Sequence, residues 1–336
     1  MALQRWRDAE AGGRVRSGAI LAVGAAALAA AAVYNARRAR RIQREMPPTG
    51  RFVTVDGVRL HYLEKGEGPP VVLLHGNLVE ARDFALSGVL DLAAGRHRVV
   101  AFDRPGFGHS DRPRGKAWTA RQQAELLHRA FERLGIVRPV VVGHSWGCVV
   151  ALAMALARPD SVRGLVLAGG YYFPTARLDA LMVAPAALPV VGDVLRHTVL
   201  PLLGRVLTPL MLRSVFDPAP IPPGYAGALP VERAVRPSQI RATAQDGATM
   251  VPTVAGMRRG YGDLRMPVAI FAGTGDHVVG HEAHAVRLHH EIASSELRLI
   301  AGAGHMVHHA VPELVADAID AVAAHPAVLA EPEAVR

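Results

Sequence analysis

From residue 51 onward the chain alternates between two hydrophobic periods. Arg51–Val55 and Val58–Leu63 alternate polar and apolar positions around Asp56-Gly57, the pattern of a hairpin. The next apolar runs are continuous: Pro70–Leu74, Arg98–Phe102, Pro139–Val142, Gly164–Ala168 and Pro267–Phe271 are short and rich in β-branched residues. Such runs predict strands covered on both faces, as in a parallel sheet. Helical spacing fills the gaps. Thr119–Leu134 carries spaced apolar residues among charges, and Gly147–Ala157 is apolar almost all round. Val311–Ala324 is helix-like and follows a last strand, Leu297–Ile300. Strand and helix in alternation predict right-handed crossovers and a doubly wound α/β sheet.

Two segments break this rhythm. Residues 17 to 34 carry no charge, are mostly apolar, and are flanked by arginines on both sides. Their length is at the short end for a membrane-spanning helix. A signal peptide is disfavoured because Arg37-Arg38-Ala39-Arg40-Arg41 follows almost at once, and a helix lying in the membrane surface would show a polar face. A single membrane anchor is therefore expected. Five arginines (37, 38, 40, 41, 44) follow it and four (5, 7, 14, 16) precede it beside Asp8 and Glu10, which tilts the C-terminal body toward the cytoplasm. The second break is Tyr171 to Gly262, long, Pro-rich and without a strand pattern. An irregular loop of that length is implausible. Leu181–Leu203 and Leu207–Val215 read as helices, so a helical cap inserted over one end of the sheet is expected. The expected organisation is a basic anchor segment 1–46, a linker Met46–Gly50, a core of 50–172 and 263–325, and a cap of 173–262.

Composition narrows the function classes. Half of the 336 residues are hydrophobic and 5% are aromatic, which suits a folded α/β protein rather than a disordered one. The net charge of +9 comes almost wholly from arginine, since Lys65 and Lys116 are the only lysines. Much of it sits near the N-terminus and the rest is scattered among acids. No basic stripe with interleaved aromatics marks a nucleic-acid partner. The sole cysteine, Cys148, excludes an intrachain disulfide and reads as a small buried hydrophobe.

The chemistry is concentrated in Val140-Val141-Val142-Gly143-His144-Ser145-Trp146-Gly147. G-x-S-x-G is common by itself, but here a buried strand precedes it and an apolar helix follows. That context lets the chain turn sharply and project Ser145 beside a helix N-terminus. A serine hydroxyl needs a base, and the base needs an acid to hold it. Both follow in order, each in a loop after a strand: Asp276 in Ala272-Gly273-Thr274-Gly275-Asp276, and His305 in Ala301-Gly302-Ala303-Gly304-His305. The expected oxyanion donors are the backbone N–H of Trp146 and that of Asn77 in His75-Gly76-Asn77-Leu78, with Leu78 as the neighbouring choice.

With His75-Gly76, Asp103-Arg104-Pro105-Gly106-Phe107-Gly108-His109-Ser110-Asp111, the Ser145 motif, Gly273-Thr274-Gly275-Asp276 and Gly302-Ala303-Gly304-His305, residues 50 to about 325 resemble the α/β-hydrolase family. The resemblance implies an eight-stranded sheet, a cap after the sixth strand, and a mainly structural role for residues 103–111. Asn77 after His-Gly and Trp146 beside the nucleophile are similar to the halide-binding pair of haloalkane dehalogenases, although Leu78 stands where those enzymes have proline. Dehalogenases and the related epoxide hydrolases use an Asp nucleophile, whose alkyl ester water can cleave. Ser145 attacking an alkyl carbon would leave an inert ether, so the serine points to acyl transfer.

Other residues invite weaker readings. His281-x-x-His284, His289-His290 and His308-His309 have no third ligand at a characteristic metal spacing and read as surface or capping histidines. Tyr171, Tyr172 and Phe173 either line the pocket or pack where the cap begins. The expected activity is hydrolysis of an ester-type bond in a hydrophobic small molecule, with no cofactor and no metal. The alternatives are carbon–carbon bond hydrolysis or perhydrolysis on the same residues, and a non-catalytic membrane-anchored binding protein.

Overall fold

The computed structural model describes residues 2–176 and 183–325, with side chains from residue 19 onward. The chain opens with one helix, α1 (Ala2–Glu45), longer at both ends than the expected anchor. Arginine, alanine and glutamine are all good helix formers, and nothing breaks the run until Pro47-Pro48. Residues 19–45 are long and apolar enough to cross a membrane, with a mean hydropathy of 1.8 in the most apolar window.

The sheet has eight strands in the order β1-β2-β4-β3-β5-β6-β7-β8. β1 (Arg51–Val55) and β2 (Val58–Lys65) form an antiparallel hairpin. Its turn residues Asp56 and Gly57 both have positive φ, which matches the right-handed strand twist. β2 also runs antiparallel to β4 (Arg98–Phe102). The others, β3 (Pro70–Leu74), β5 (Val140–His144), β6 (Gly164–Ala168), β7 (Val268–Gly273) and β8 (Ser295–Ile300), are parallel to their neighbours.

Alternate residues of the central strands face opposite layers. Val72, Leu74, Val141 and Leu165 pack with α4 (Ala120–Leu134) and α5 (Trp146–Ala157). Val71, Leu73, Val142 and Val166 pack with α2 (Arg82–Leu86), α3 (Val89–Ala93) and α13 (Pro312–Ala324), where the last helix returns to the sheet. α4 starts on a capping box, Thr119 with Gln122, and stops at Gly135 in a left-handed conformation.

The cap lies between β6 and β7. Its described helices are α6 (Val191–His197), α7 (Val199–Phe216), α8 (Tyr225–Ala228), α9 (Val231–Ala234) and α10 (Pro237–Met257). The expected helix Leu181–Leu203 is not continuous. Leu181 and Met182 lie outside the described residues, Ala184–Ala187 is a single 3-10 turn, and Val190 at φ 61 and Thr198 at φ −116, ψ −81 interrupt the rest. Conversely, the expected gap between 203 and 207 is closed, and α7 runs through Pro209. After β7, α11 (Arg287–Glu291) and α12 (Val307–Ala310) complete the core.

Among the described residues, buried side-chain pairs fasten cap to core at three places, and Arg236 adds a bond to Gly108 O at 2.6 Å. Arg104 and Arg112 both pair with Asp246 of α10, at 2.7 and 3.0 Å. Arg233 of α9 pairs with Glu80 at 2.6 Å. Tyr225 of α8 donates to Asp83 of α2 at 2.8 Å. α1 joins the cap as well. The buried Asn35 side chain donates to the carbonyls of His197 (3.0 Å) and Thr198 (2.7 Å) and accepts from Arg205 (2.8 Å), while Arg38 pairs with Glu232.

Candidate active site

Ser145 sits between β5 and α5 with φ 52 and ψ −117, a backbone state that side-chain-bearing residues rarely adopt. Its neighbours explain how the turn is possible. A Cβ on Gly147 would lie 1.9 Å from the Leu74 carbonyl, and one on Gly143 would lie 2.6 Å from the Cys148 nitrogen. Only glycine fits at either place, and the nucleophile-turn motif follows from that crowding. The Ser145 N–H donates to Ala168 O of the next strand at 2.9 Å, which fixes the turn to β6.

The structure brings the three expected site residues together. Ser145 Oγ is 3.0 Å from His305 Nε2, and His305 Nδ1 is 2.8 Å from Asp276 Oδ2. Asp276 leaves the carboxyl end of β7 through Thr274-Gly275, next to Gly273, where a Cβ would lie 2.1 Å from Ala303 O. The other Asp276 oxygen accepts from the N–H groups of Val278 and Val279, each at 2.8 Å. Burial alone would raise this carboxyl; the adjacent imidazole and the two N–H bonds outweigh it and hold the group below its ordinary range. Asp276 is therefore an anion in position to accept from His305. Chemically, such a row can move a proton from a hydroxyl to an imidazole while a fixed negative charge steadies the cation formed.

His305 is held by contacts from its neighbours. Its carbonyl accepts from His144 Nε2 at 3.2 Å, and a Cβ on Gly304 would strike the Asp217 carbonyl at the end of α7. The Met306 N–H donates to Val215 O of the same helix, so the cap touches the loop that carries the imidazole.

The expected oxyanion loop also reaches the site: a Cβ on Gly76 would lie 3.0 Å from Ser145 Cβ. Asn77 follows directly, and Leu78 at φ 67 turns the loop away. Trp146 is buried, and its indole N–H has no acceptor among the described residues. Buried Arg104, which sequence reasoning assigned only to a structural stretch, holds this loop. It donates to His75 O (2.7 Å), Gly76 O (3.0 Å) and Asn77 Oδ1 (2.8 Å). Asn77 thus has its side-chain oxygen engaged, and its orientation is set by the same guanidinium that binds Asp246.

The histidine readings need correction. His308 is fully buried and His284 nearly so, so neither is a surface residue. Asp83 supplies what the sequence spacing did not show. Its carboxylate accepts from His308 Nε2 at 2.8 Å and from His309 Nε2 at 3.0 Å. These three residues form a possible metal-holding group, yet the contacts are direct N–H···O distances and Tyr225 also donates to the carboxylate. The arrangement is that of an anion satisfied by protons. Asp83 and His308 lie 225 residues apart, so no local pattern could have paired them. Tyr172 and Phe173 are fully buried and pack in the core, as the blander of their two readings held. Cys148 is buried too, which pushes its thiol up to about 12 and makes it inert. Two surface clefts, of about 810 and 550 Å³, lie elsewhere: one between α5 and α10, the other beside Gly106–Arg114.

Known proteins share this fold. A family profile for the alpha/beta hydrolase fold matches residues 69–310. An uncharacterized protein of Mycobacterium tuberculosis is 31% identical over 305 residues, 84% of each chain. Haloalkane dehalogenase 2 of Mycobacterium tuberculosis is 34% identical over 141 residues, 41% of this chain. A 2-hydroxymuconate semialdehyde hydrolase of Pseudomonas putida is 34% identical over 138 residues, 40% of this chain. The match spans only about half (49%) of either enzyme. The crystal structure of a bacterial membrane phospholipase A superposes with a TM-score of 0.63 at 22% identity, covering 95% of this chain and all of that one. That coverage extends the shared fold into the N-terminal helix. On the profile match, which spans well over half of the chain, the chain belongs to the α/β-hydrolase family.

Proposed function

We propose that the protein is a serine hydrolase that cleaves an ester-type bond of a hydrophobic small molecule through an acyl-Ser145 intermediate. The observation that carries this reading is the continuous row from Ser145 Oγ through His305 to the Asp276 carboxylate, at 3.0 and 2.8 Å. In the proposed course His305 Nε2 takes the Ser145 proton as Oγ attacks the acyl carbon. The carbonyl oxygen becomes an anion, stabilised by the backbone N–H groups of Trp146 and Asn77. His305 then protonates the leaving alcohol. Water, deprotonated by the same imidazole, releases the acid and restores the hydroxyl. Asp276 keeps Nδ1 protonated throughout and steadies the imidazolium.

The haloalkane dehalogenase likeness does not extend to this step. An alkyl group transferred to Ser145 would be held as an ether, with no carbonyl for water to attack. Carbon–carbon bond hydrolysis is the second reading, favoured by the partial match to the semialdehyde hydrolase. On that reading Ser145, His305 and Asp276 would act on a carbon–carbon bond of a ring-cleavage product. Residues 17–34 are read as a single membrane anchor with the catalytic body on its cytoplasmic side, and the hydrophobic substrate as one that reaches the site beneath the cap.

A fluorophosphonate probe tests the assignment. It is expected to label the full-length protein in detergent and to fail on Ser145→Ala with the fold intact by circular dichroism. Labelling of the alanine variant would remove Ser145 from the reaction. A wild type that labels but turns over a ring-cleavage dienone in preference to p-nitrophenyl esters would favour the second reading.

A further inference from the structure

The cap carries an exposed apolar face beside the anchor helix. On α7 it is Val199, Leu202, Leu203, Val206, Leu207, Leu210 and Met211, with exposures of 38 to 67%. Their spacing of three and four residues puts them on one side of the helix. Val191 and Val194 of α6 extend the face, and Leu188 and Val190 lead into it. Between Val199 and Leu212 the one charged residue is Arg205, and it is turned to α1, where it bonds Asn35 and stacks on the Tyr34 ring at 5.3 Å. A contiguous apolar surface of this extent is unusual on a protein that meets only water.

We infer that this face of α6 and α7 rests in the same bilayer leaflet that receives the anchor, so that the catalytic body lies on the membrane by its cap rather than hanging from a tether. The inference rests on the anchor reading given above. Three observations choose a lipid surface over another occupant. First, α1 meets the cap at the end of the apolar run: Asn35 bonds the carbonyls of His197 and Thr198, which lie at the junction of α6 and α7. The exposed side chains of the cap therefore begin at the depth where the anchor leaves the hydrocarbon. Second, α1 passes this joint without a break, so the anchor and the cap face are held in fixed relation rather than linked by a flexible segment. Third, the next turns of α1 expose Arg37, Arg40, Arg41 and Arg44, a cationic band at headgroup level suited to anionic lipid. A helix that is apolar on its outer side and packed on protein by its inner side matches an interfacial segment, not a second crossing. The inner residues Pro201 and Phe216 are buried against the protein.

The consequence for the site is a short route from leaflet to serine. The end of α7 touches the loop of His305 through Val215 O and the Asp217 carbonyl. A lipid-soluble ester leaving the leaflet beside α7 would enter the cap at the site itself without crossing water.

The test is a depth measurement on the full chain in vesicles containing anionic phospholipid. Cys148 is buried and inert, so Val206→Cys and Leu210→Cys each give a single labelling site for an environment-sensitive fluorophore. Glu296→Cys on β8, exposed near the strand end away from the cap, is the aqueous control. Labels at 206 and 210 should be quenched several-fold more by nitroxide-bearing lipid than the control and resist iodide. Iodide quenching equal to that at 296 overturns the inference. So does protection that persists in detergent and rises with protein concentration, which would show a second copy as the occupant. A second arm uses Val206→Asp with Leu210→Asp. Turnover of a vesicle-borne long-chain ester should fall on the order of tenfold, while a water-soluble short ester is hydrolysed as by wild type. Equal loss on both substrates counts against the inference. The depth measurement needs no activity, so it stands or falls separately from the role of Ser145.

Discussion

His75 shows how a single side chain can be forced into one protonation state. Its Nδ1–H donates to Gly76 O at 2.7 Å, and its Nε2 accepts the Arg104 backbone N–H at 2.9 Å. The second bond requires the neutral ring, because a proton on Nε2 would face a donor. Burial first, and the Arg104 cation second, bring its pKa down to about 3. His144 and His308 are lowered as well, chiefly by burial. Each of these groups leaves stability untouched above the ordinary histidine pKa of about 6.5. Below it the unfolded chain gains protons that the folded one refuses, and stability falls until the folded pKa is reached. For His75 the loss at pH 5 is about 2 kcal/mol. Urea unfolding in detergent at pH 7 and pH 5 should show this decline well above the range where Asp103 and Asp276 titrate; equal midpoints at the two pH values would refute it. His75 was read from the sequence as part of a loop after a strand, but its protonation was not legible there. The partner that sets it, Arg104, is 29 residues away. The Ser145 turn was legible, because Gly143 and Gly147 are demanded by backbone contacts within one strand–helix unit.

At the scale of elements, strands and core helices followed the hydrophobic period closely, since each is buried along a face that the period reveals. The cap did not. Its breaks at Val190 and Thr198 depend on packing between helices, and prolines proved compatible with helix at positions 201 and 209. α1 was legible as an apolar run but not as one helix reaching Glu45, because its later turns are held by the cap through Asn35 and Arg38. The join between loop and cap makes a definite prediction. Arg104→Met leaves Asp246 buried with Arg112 as its only cation and frees three acceptors of the 75–77 loop. Stability should fall by about 3 kcal/mol, within the range for breaking a buried pair. Ester turnover should fall with it, because the Asn77 backbone loses its support. Chemical denaturation and steady-state kinetics on the purified variant check both; a variant with wild-type stability would show that the pair contributes nothing.

For the whole molecule, the three polar joins carry a consequence for how the fold comes apart. Arg104–Asp246, Arg233–Glu80 and Tyr225–Asp83 are all buried, and each pairs a cap residue with a core residue. Peeling the cap away would break all three at once: Arg104 and Glu80 would lose their ionic partners and Asp83 its Tyr225 bond, while the faces between cap and core would open to water. Cap and core should therefore melt as a single cooperative unit despite their separate positions in the chain. Scanning calorimetry in detergent is expected to show one endotherm with equal calorimetric and van't Hoff enthalpies for residues beyond α1. Two resolved transitions would mean the cap is an independent module. On this account heat does not open the lid of a standing enzyme: the site is lost when the sheet beneath it is.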